Sequence, residues 1–138
     1  KDSLVQAIDL ARAMGAKKAM PLVVSAAFHS SLMKPAVPGM MSALDGAKIA
    51  TARVPVVCNT TAQPIDDEGA IHGELVDQIC QPVQWSRSVD YMATHGVRRF
   101  VEMGPGKVLT GLVRRIAKEA EAISVNDMSA VRNYAVAY

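Results

Sequence analysis

The 138-residue sequence predicts an α/β fold with a largely parallel sheet. Short strand-like runs at Met20–Val24, Val54–Cys58, Arg98–Glu102 and Ala122–Val125 alternate with stretches of helical periodicity. Glycine or proline falls at several junctions between them: Gly15, Pro64, Gly96 and Gly104-Pro-Gly106. Half of the residues are hydrophobic and a fifth are charged, a globular composition at a length that can bury a core without disulfides or metals.

Taken in order, Asp2 or Ser3 caps a first helix whose apolar positions include Leu4, Ala7, Ile8, Ala11 and Met14, closed by Gly15. Met20–Val24 reads as a buried strand with Pro21 at its start, where a missing donor matters least. Ser30 or Ser31 caps a second helix with Met33, Met40 or Met41, Leu44 and Ile49 as its buried stripe. Pro35 fits a first turn, whereas Pro38-Gly39 delays regular helix to about Met40. Val54–Cys58 is the second strand, and residues 59–64 form a loop. Helices follow over Glu68–Cys80 and Ser86–Thr94, separated by Pro82. Arg98–Glu102 is the third strand, and Gly104-Pro-Gly106 turns it into a helix over Lys107–Ala120 with Val108, Leu109, Leu112, Val113 and Ile116 on its apolar face. Ala122–Val125 is the fourth strand, and Asp127 caps a final helix through Tyr134.

Composition excludes several functions. Fifteen Lys+Arg against 13 Asp+Glu leave a net charge of +2, too even for a dedicated nucleic-acid binder or a polybasic membrane anchor. The longest apolar run, Ala19–Phe28, is broken by Pro21 and Ser25 and falls short of the ~18 residues of a membrane span. Cys58 and Cys80 fit a reduced interior, and no Cys-x-x-Cys or His-Glu-x-x-His spacing suggests a metal site. The chain opens on Lys1 and enters a helix pattern at once, so it is expected to be a piece of something longer.

Three histidines are present. His29 lies beyond an apolar run and before a helix start, where open α/β sheets place ligands; it reads either as a catalytic base or as a ring bonded to a loop carbonyl. His72 and His95 read as surface residues. The Gly104-Pro-Gly106 turn fails as a dinucleotide loop because Leu109 occupies the third glycine position, and as a phosphate loop because Val108 follows Lys107. No Gly-x-Ser-x-Gly elbow is present, so a base is found and no nucleophile; Ser30 reads as a cap and the cysteines as packing residues. Lys107, Arg114 and Lys118, with Arg115 beside them, share a helix face that is either solvated or able to dock an acidic partner.

Three stretches together are more specific. Val24-Ser-Ala-Ala-Phe-His-Ser-Ser-Leu-Met-Lys-Pro-Ala36, Pro82-Val-Gln-Trp-Ser-Arg-Ser-Val89 and Glu102-Met-Gly-Pro-Gly-Lys-Val-Leu-Thr-Gly-Leu112, with Pro55-Val-Val-Cys-Asn59 between the first two, closely resemble the malonyl-CoA:acyl carrier protein transacylase family. The resemblance runs from about Lys1 to Val125. It implies a large α/β-hydrolase-like subdomain carrying a smaller ferredoxin-like one. Residues 1–24 would be the last helix and strand of the small subdomain, and 25–138 the C-terminal part of the large one. It also implies transfer of malonyl from malonyl-CoA to the carrier-protein thiol in fatty acid biosynthesis, without a cofactor, in the cytoplasm. His29 matches the catalytic histidine and Gln78 the residue whose main-chain carbonyl orients it, in place of a triad carboxylate. Ala27-Phe28-His29 matches the end of a His-Ala-Phe-His signature, in which Phe28 would crowd a methyl branch; Ala26 departs from its first position.

The serine elbow, the arginine for the malonyl carboxylate and the oxyanion-hole glutamine of that family have no counterpart here. The resemblance therefore implies an inactive fragment, partnered by a missing N-terminal half that covers its exposed edges. Two other readings stand: an acyltransferase piece of a polyketide or fatty-acid synthase, and a non-catalytic carrier-protein binding module using Lys107, Arg114, Arg115 and Lys118.

Overall fold

Val89 is fully buried, and the side chains around it define the core: Val113, Ala117 and Ala122 are also buried, with Trp85, Met92, Phe100 and Ile116 packed at their edge. These residues belong to neighbouring elements of a computed structural model that describes residues 2–22 and 24–137, the last two by backbone alone. In chain order it comprises α1 (Asp2–Ala13), a 3₁₀ helix (Ser31–Ala36) leading directly into α2 (Val37–Asp45), β1 (Val56–Val57), β2 (Pro64–Ile65) and α3 (Glu68–Asp77). Then come α4 (Trp85–Thr94), β3 (Arg99–Met103), α5 (Val108–Ile116), β4 (Glu121–Val125) and α6 (Met128–Ala137).

The expected βαβ unit is present. β3 and β4 pair in parallel from Arg99 opposite Glu121 to Met103 opposite Val125, and α5 connects them and packs on both. Arg99 Nε meets Glu121 Oε2 at 2.6 Å across the first register pair, an exposed contact that marks register more than it stabilises. Gly104 and Gly106 have φ of +131° and +93°, a backbone that side chains with a Cβ rarely adopt, and they reverse the chain between β3 and α5.

The start of α5 explains Glu102. Its carboxylate accepts hydrogen bonds from Leu109 N (3.1 Å), Thr110 N (2.7 Å) and Thr110 Oγ1 (2.6 Å). A strand side chain thus satisfies helix N–H groups that have no intrahelical partner, and Lys107 at the cap position makes no such bond with its own side chain. The Thr110 hydroxyl and N–H, with Leu109 N–H, hold the Glu102 carboxyl below its ordinary range. Asp127 acts as expected at α6, accepting from Ala130 N at 2.7 Å.

Several expectations are corrected. Met20–Val24 forms no strand over its described residues; Met20, Leu22 and Val24 stand exposed, because no neighbouring strand among the described residues offers them a ladder, and Val23 lies outside that set. Val54–Cys58 shrinks to Val56–Val57 and pairs antiparallel with Pro64–Ile65, because the turn at residues 59–61 folds the chain back within a few residues. The sheet content among the described residues is therefore one parallel pair and one antiparallel pair. Pro38 sits in the first turn of α2 rather than delaying it, the position where its missing N–H is harmless. Ser30 is no side-chain cap: its hydroxyl donates to Ala27 O at 2.7 Å, and the cap position lacks a side-chain bond. The helix read over Glu68–Cys80 ends at Asp77, and that over Lys107–Ala120 spans Val108–Ile116. Val108 and Leu109 are exposed at the α5 N-terminus, and Thr110, drawn inward by Glu102, joins Val113 on the buried face.

Two stability measurements follow. Val89→Ala removes two buried methyl groups at the core centre and is expected to lower unfolding free energy by about 2 kcal/mol, read by denaturant titration. Because Glu102 is depressed in the fold, its contribution is complete above about pH 4.5 and is lost as pH falls through the folded-state value. Glu102→Ala should therefore flatten the decline of the melting temperature in that acid window, and an unchanged slope would refute the assignment.

Candidate functional site

Where α3 ends, its last carbonyls have no helical partner. Asp67 starts this helix by accepting from Ala70 N at 2.9 Å, and Gln78 closes it as the C-cap residue. Two successive carbonyls beyond its last turn are taken by His29. The ring Nδ1 lies 2.7 Å from Gln78 O, and the His29 backbone N donates to Ile79 O at 3.1 Å. A carbonyl only accepts, so Nδ1 carries the proton and Nε2 is left with a free lone pair. The sequence left two possibilities for His29, and the loop-carbonyl bond it considered is present; a ring held this way is also oriented for proton transfer.

His29 pays for that pose in backbone conformation, with φ of +59°, a region costing a residue with a Cβ on the order of 1 kcal/mol. Its position is a tight turn entering the 3₁₀ helix, before a helix start as the sequence suggested, although the run ahead of it forms no strand over its described residues. The imidazole is exposed and stands at the rim of a cleft of about 510 Å³, lined by Phe28, Met33, Met40 and Ile79 among others. The walls are apolar, while His29 and Gln78 supply the polar edge.

Gln78 is held in turn. Asn59 Nδ2 donates to Gln78 Oε1 at 2.8 Å, and Gln84 N donates to Asn59 O at 2.6 Å. Glu74, one turn earlier on α3, accepts from Thr60 N (3.1 Å) and Thr60 Oγ1 (2.5 Å). Asn59, Glu74 and Ile79 were missed by sequence reasoning; Ile79 acts through its main chain, and only the position of Asn59 directly after an apolar run offered a faint signal.

The structure brings Phe28, His29 and Gln78 together. Of the basic residues, Lys107 is the N-cap of α5, Arg114 and Arg115 lie in its last turn, Lys118 follows its end, and Arg114 donates to Ala122 O at 3.0 Å. His95 caps α4, stacking on Tyr91 with its Nδ1 2.8 Å from Tyr91 O. Burial pushes the Cys58 thiol up from its ordinary value, the behaviour of a packing residue. Among the described residues no group of three His, Cys, Asp or Glu side chains is placed to hold a metal, and no helix is long and apolar enough to cross a membrane.

Fold and site define a class: an α/β protein with a main-chain-anchored histidine at the mouth of an apolar cleft. No protein-family profile matches the chain. It is 41% identical over 121 residues to the malonyl CoA-acyl carrier protein transacylase of Bacillus subtilis, covering 88% of this chain and 38% of that protein. It is 42% identical over 131 residues to the enzyme of the same name from Escherichia coli K12, covering 95% of this chain and 42% of that one. Among solved structures, an acyl carrier protein S-malonyltransferase from Vibrio cholerae superposes with a TM-score of 0.87 at 38% identity, covering 96% of this chain and 44% of that chain. A malonyl-transacylase solved in complex with a type II PKS acyl-carrier protein superposes at 0.90 and 36% identity, covering 100% and 45%. Over nearly its whole length the chain is similar to these malonyl CoA-acyl carrier protein transacylases, and it spans about two fifths of the length of the curated relatives it matches.

Cys58, buried and with its thiol pushed up by that burial, is expected to react with a thiol reagent far more slowly in the native protein than in denaturant, followed by peptide mass spectrometry; equal rates would refute its role as a packing residue.

Proposed function

We propose that this chain is the C-terminal part of a malonyl-CoA:acyl carrier protein transacylase in which His29 is the general base and acid. The single observation that carries the reading is the 2.7 Å bond between His29 Nδ1 and Gln78 O, which leaves Nε2 as the ring's proton acceptor. A serine hydroxyl attacks the malonyl thioester carbonyl as Nε2 takes its proton. The tetrahedral species collapses, the C–S bond breaks, and the imidazolium returns the proton to the coenzyme A thiolate. In the second half-reaction Nε2 takes the proton of the carrier-protein thiol, which attacks the seryl ester, and the serine leaves with that proton. The partial negative charge at the C-terminal end of α3 faces the ring that becomes cationic. Gln78 supplies orientation through an uncharged carbonyl, in the role a carboxylate has in a Ser-His-Asp triad.

The serine is assigned to a segment outside these 138 residues, since none of them forms an elbow and the curated relatives are more than twice as long. In this reading residues 1–24 close a ferredoxin-like subdomain and 25–138 return through an α/β-hydrolase-like one. Exposed apolar side chains on and after α1, including Leu4, Leu10, Met14 and Leu22, suit a chain whose partner is the remainder of the same enzyme. Phe28, at the cleft rim, limits branching on the acyl group. The acidic carrier protein docks near Lys107, Arg115 and Lys118, with Arg114 contributing through its remaining donors. The setting is cytoplasmic fatty acid biosynthesis by a free-standing enzyme, a reading supported by the names of the relatives.

His29→Ala in the intact enzyme is expected to reduce malonyl transfer by about 10³-fold with native circular dichroism retained; near-normal turnover would reject the assignment. Phe28→Ala should raise the use of methylmalonyl relative to malonyl thioester by about tenfold in competition assays. The 138-residue chain by itself should transfer no malonyl from coenzyme A to carrier protein.

A further inference from the structure

We propose that Asn59 is a positioning residue for the transfer reaction, acting on His29 through the side chain of Gln78; this rests on the reading of His29 as the base. The anchor for the imidazole is a main-chain carbonyl, which carries no net charge and has no position of its own apart from the backbone around it. That backbone is the C-terminal end of α3, where the N–H of Gln78 bonds to Glu74 O and the carbonyls beyond have no partner within the helix. Besides the two bonds to His29, a hydrogen bond from outside the helix holds the Gln78 side chain: Asn59 Nδ2 to Gln78 Oε1, 2.8 Å, part-buried.

Asn59 is itself held from two directions. Gln84 N binds its carbonyl at 2.6 Å, and the next residue, Thr60, is clamped by both oxygens of Glu74. Glu74 and Gln78 lie four apart on α3, so they present to one side and grip the same turn twice. The result is a closed circuit in which the helix fixes the Asn59 turn through Glu74, and that turn fixes the helix end through Gln78. Without the Asn59 bond, Gln78 loses its only side-chain partner among the described residues, and the His29 ring is free to exchange tautomers by releasing the Gln78 carbonyl.

The test uses the intact enzyme and four variants: Asn59→Ala, Gln78→Leu, the double variant and His29→Ala. Gln78→Leu keeps the main-chain carbonyl and removes only the side-chain link, and it stands in for Asn59→Ala should that variant fold poorly. Each single variant is expected to lower kcat about tenfold with KM for malonyl-CoA within twofold, and the double variant to be no worse than the weaker single. Nitrogen-15 shifts of the His29 ring should move from the Nδ1–H form toward a tautomer mixture in both. Unchanged kcat, multiplicative losses or an unmoved ring signal would each overturn the proposal. An active His29→Ala enzyme would instead remove the base reading beneath it.

Discussion

The hydrogen bond between the His29 ring and the Gln78 carbonyl is the constraint around which the site is arranged. A carboxylate in that place would bring a full charge needing its own partners, whereas a carbonyl at a helix end is an acceptor the fold must satisfy in any case. Exchanging charge for backbone moves the burden from side-chain chemistry to conformation. His29 takes up a left-handed φ to reach two successive carbonyls, and α3 has to stop at Gln78 for both to be available. The circuit through Glu74, Thr60 and Asn59 is the expense of making a helix end hold still.

The same economy appears at the other end of the chain. Glu102 reaches from β3 to the first N–H groups of α5, so a strand side chain performs the capping and the helix needs none of its own. It also draws Thr110 into a buried position with its hydroxyl satisfied, so polarity enters the core edge without an orphan group. One helix terminus is thus closed by an anion at its N-terminal end and another by a histidine at its C-terminal end, each in the sense the peptide dipoles favour.

The sequence made the β3–α5–β4 unit plain, because two short apolar runs, a glycine turn and a helical stripe leave few alternatives there. Its failures share a cause. Met20–Val24 has strand composition, but a strand is a relation between two segments, and its apolar side chains stand exposed without a ladder. Val54–Cys58 read as the second strand and became half of a small hairpin because the turn after it decided the pairing. The site was half legible. His29 and Phe28 declare themselves by side chain, whereas Gln78 and Ile79 act through carbonyls that every residue possesses, so only the resemblance to a family pointed to Gln78. Asn59 was hard to single out for a related reason: it makes no hydrogen bond to His29 and meets the cleft only through the Gln78 side chain.

Burial is unevenly shared between these parts. The fully packed cluster lies between Val89 and Ala122, while α1, α2 and α3 contain no fully buried residue. The elements that carry His29 and its anchor therefore owe their geometry to a handful of hydrogen bonds and to half-buried contacts such as Met33, Met40 and Leu44. Directed bonds fix orientation but tolerate little strain, and His29 already sits in a strained turn. Further burial against α1 and the walls of the cleft would stabilise the histidine-bearing segment more than the core, which is already closed. Any segment that packs there would steady the His29 turn along with the cleft walls, so that closing the cleft and fixing the ring become one event.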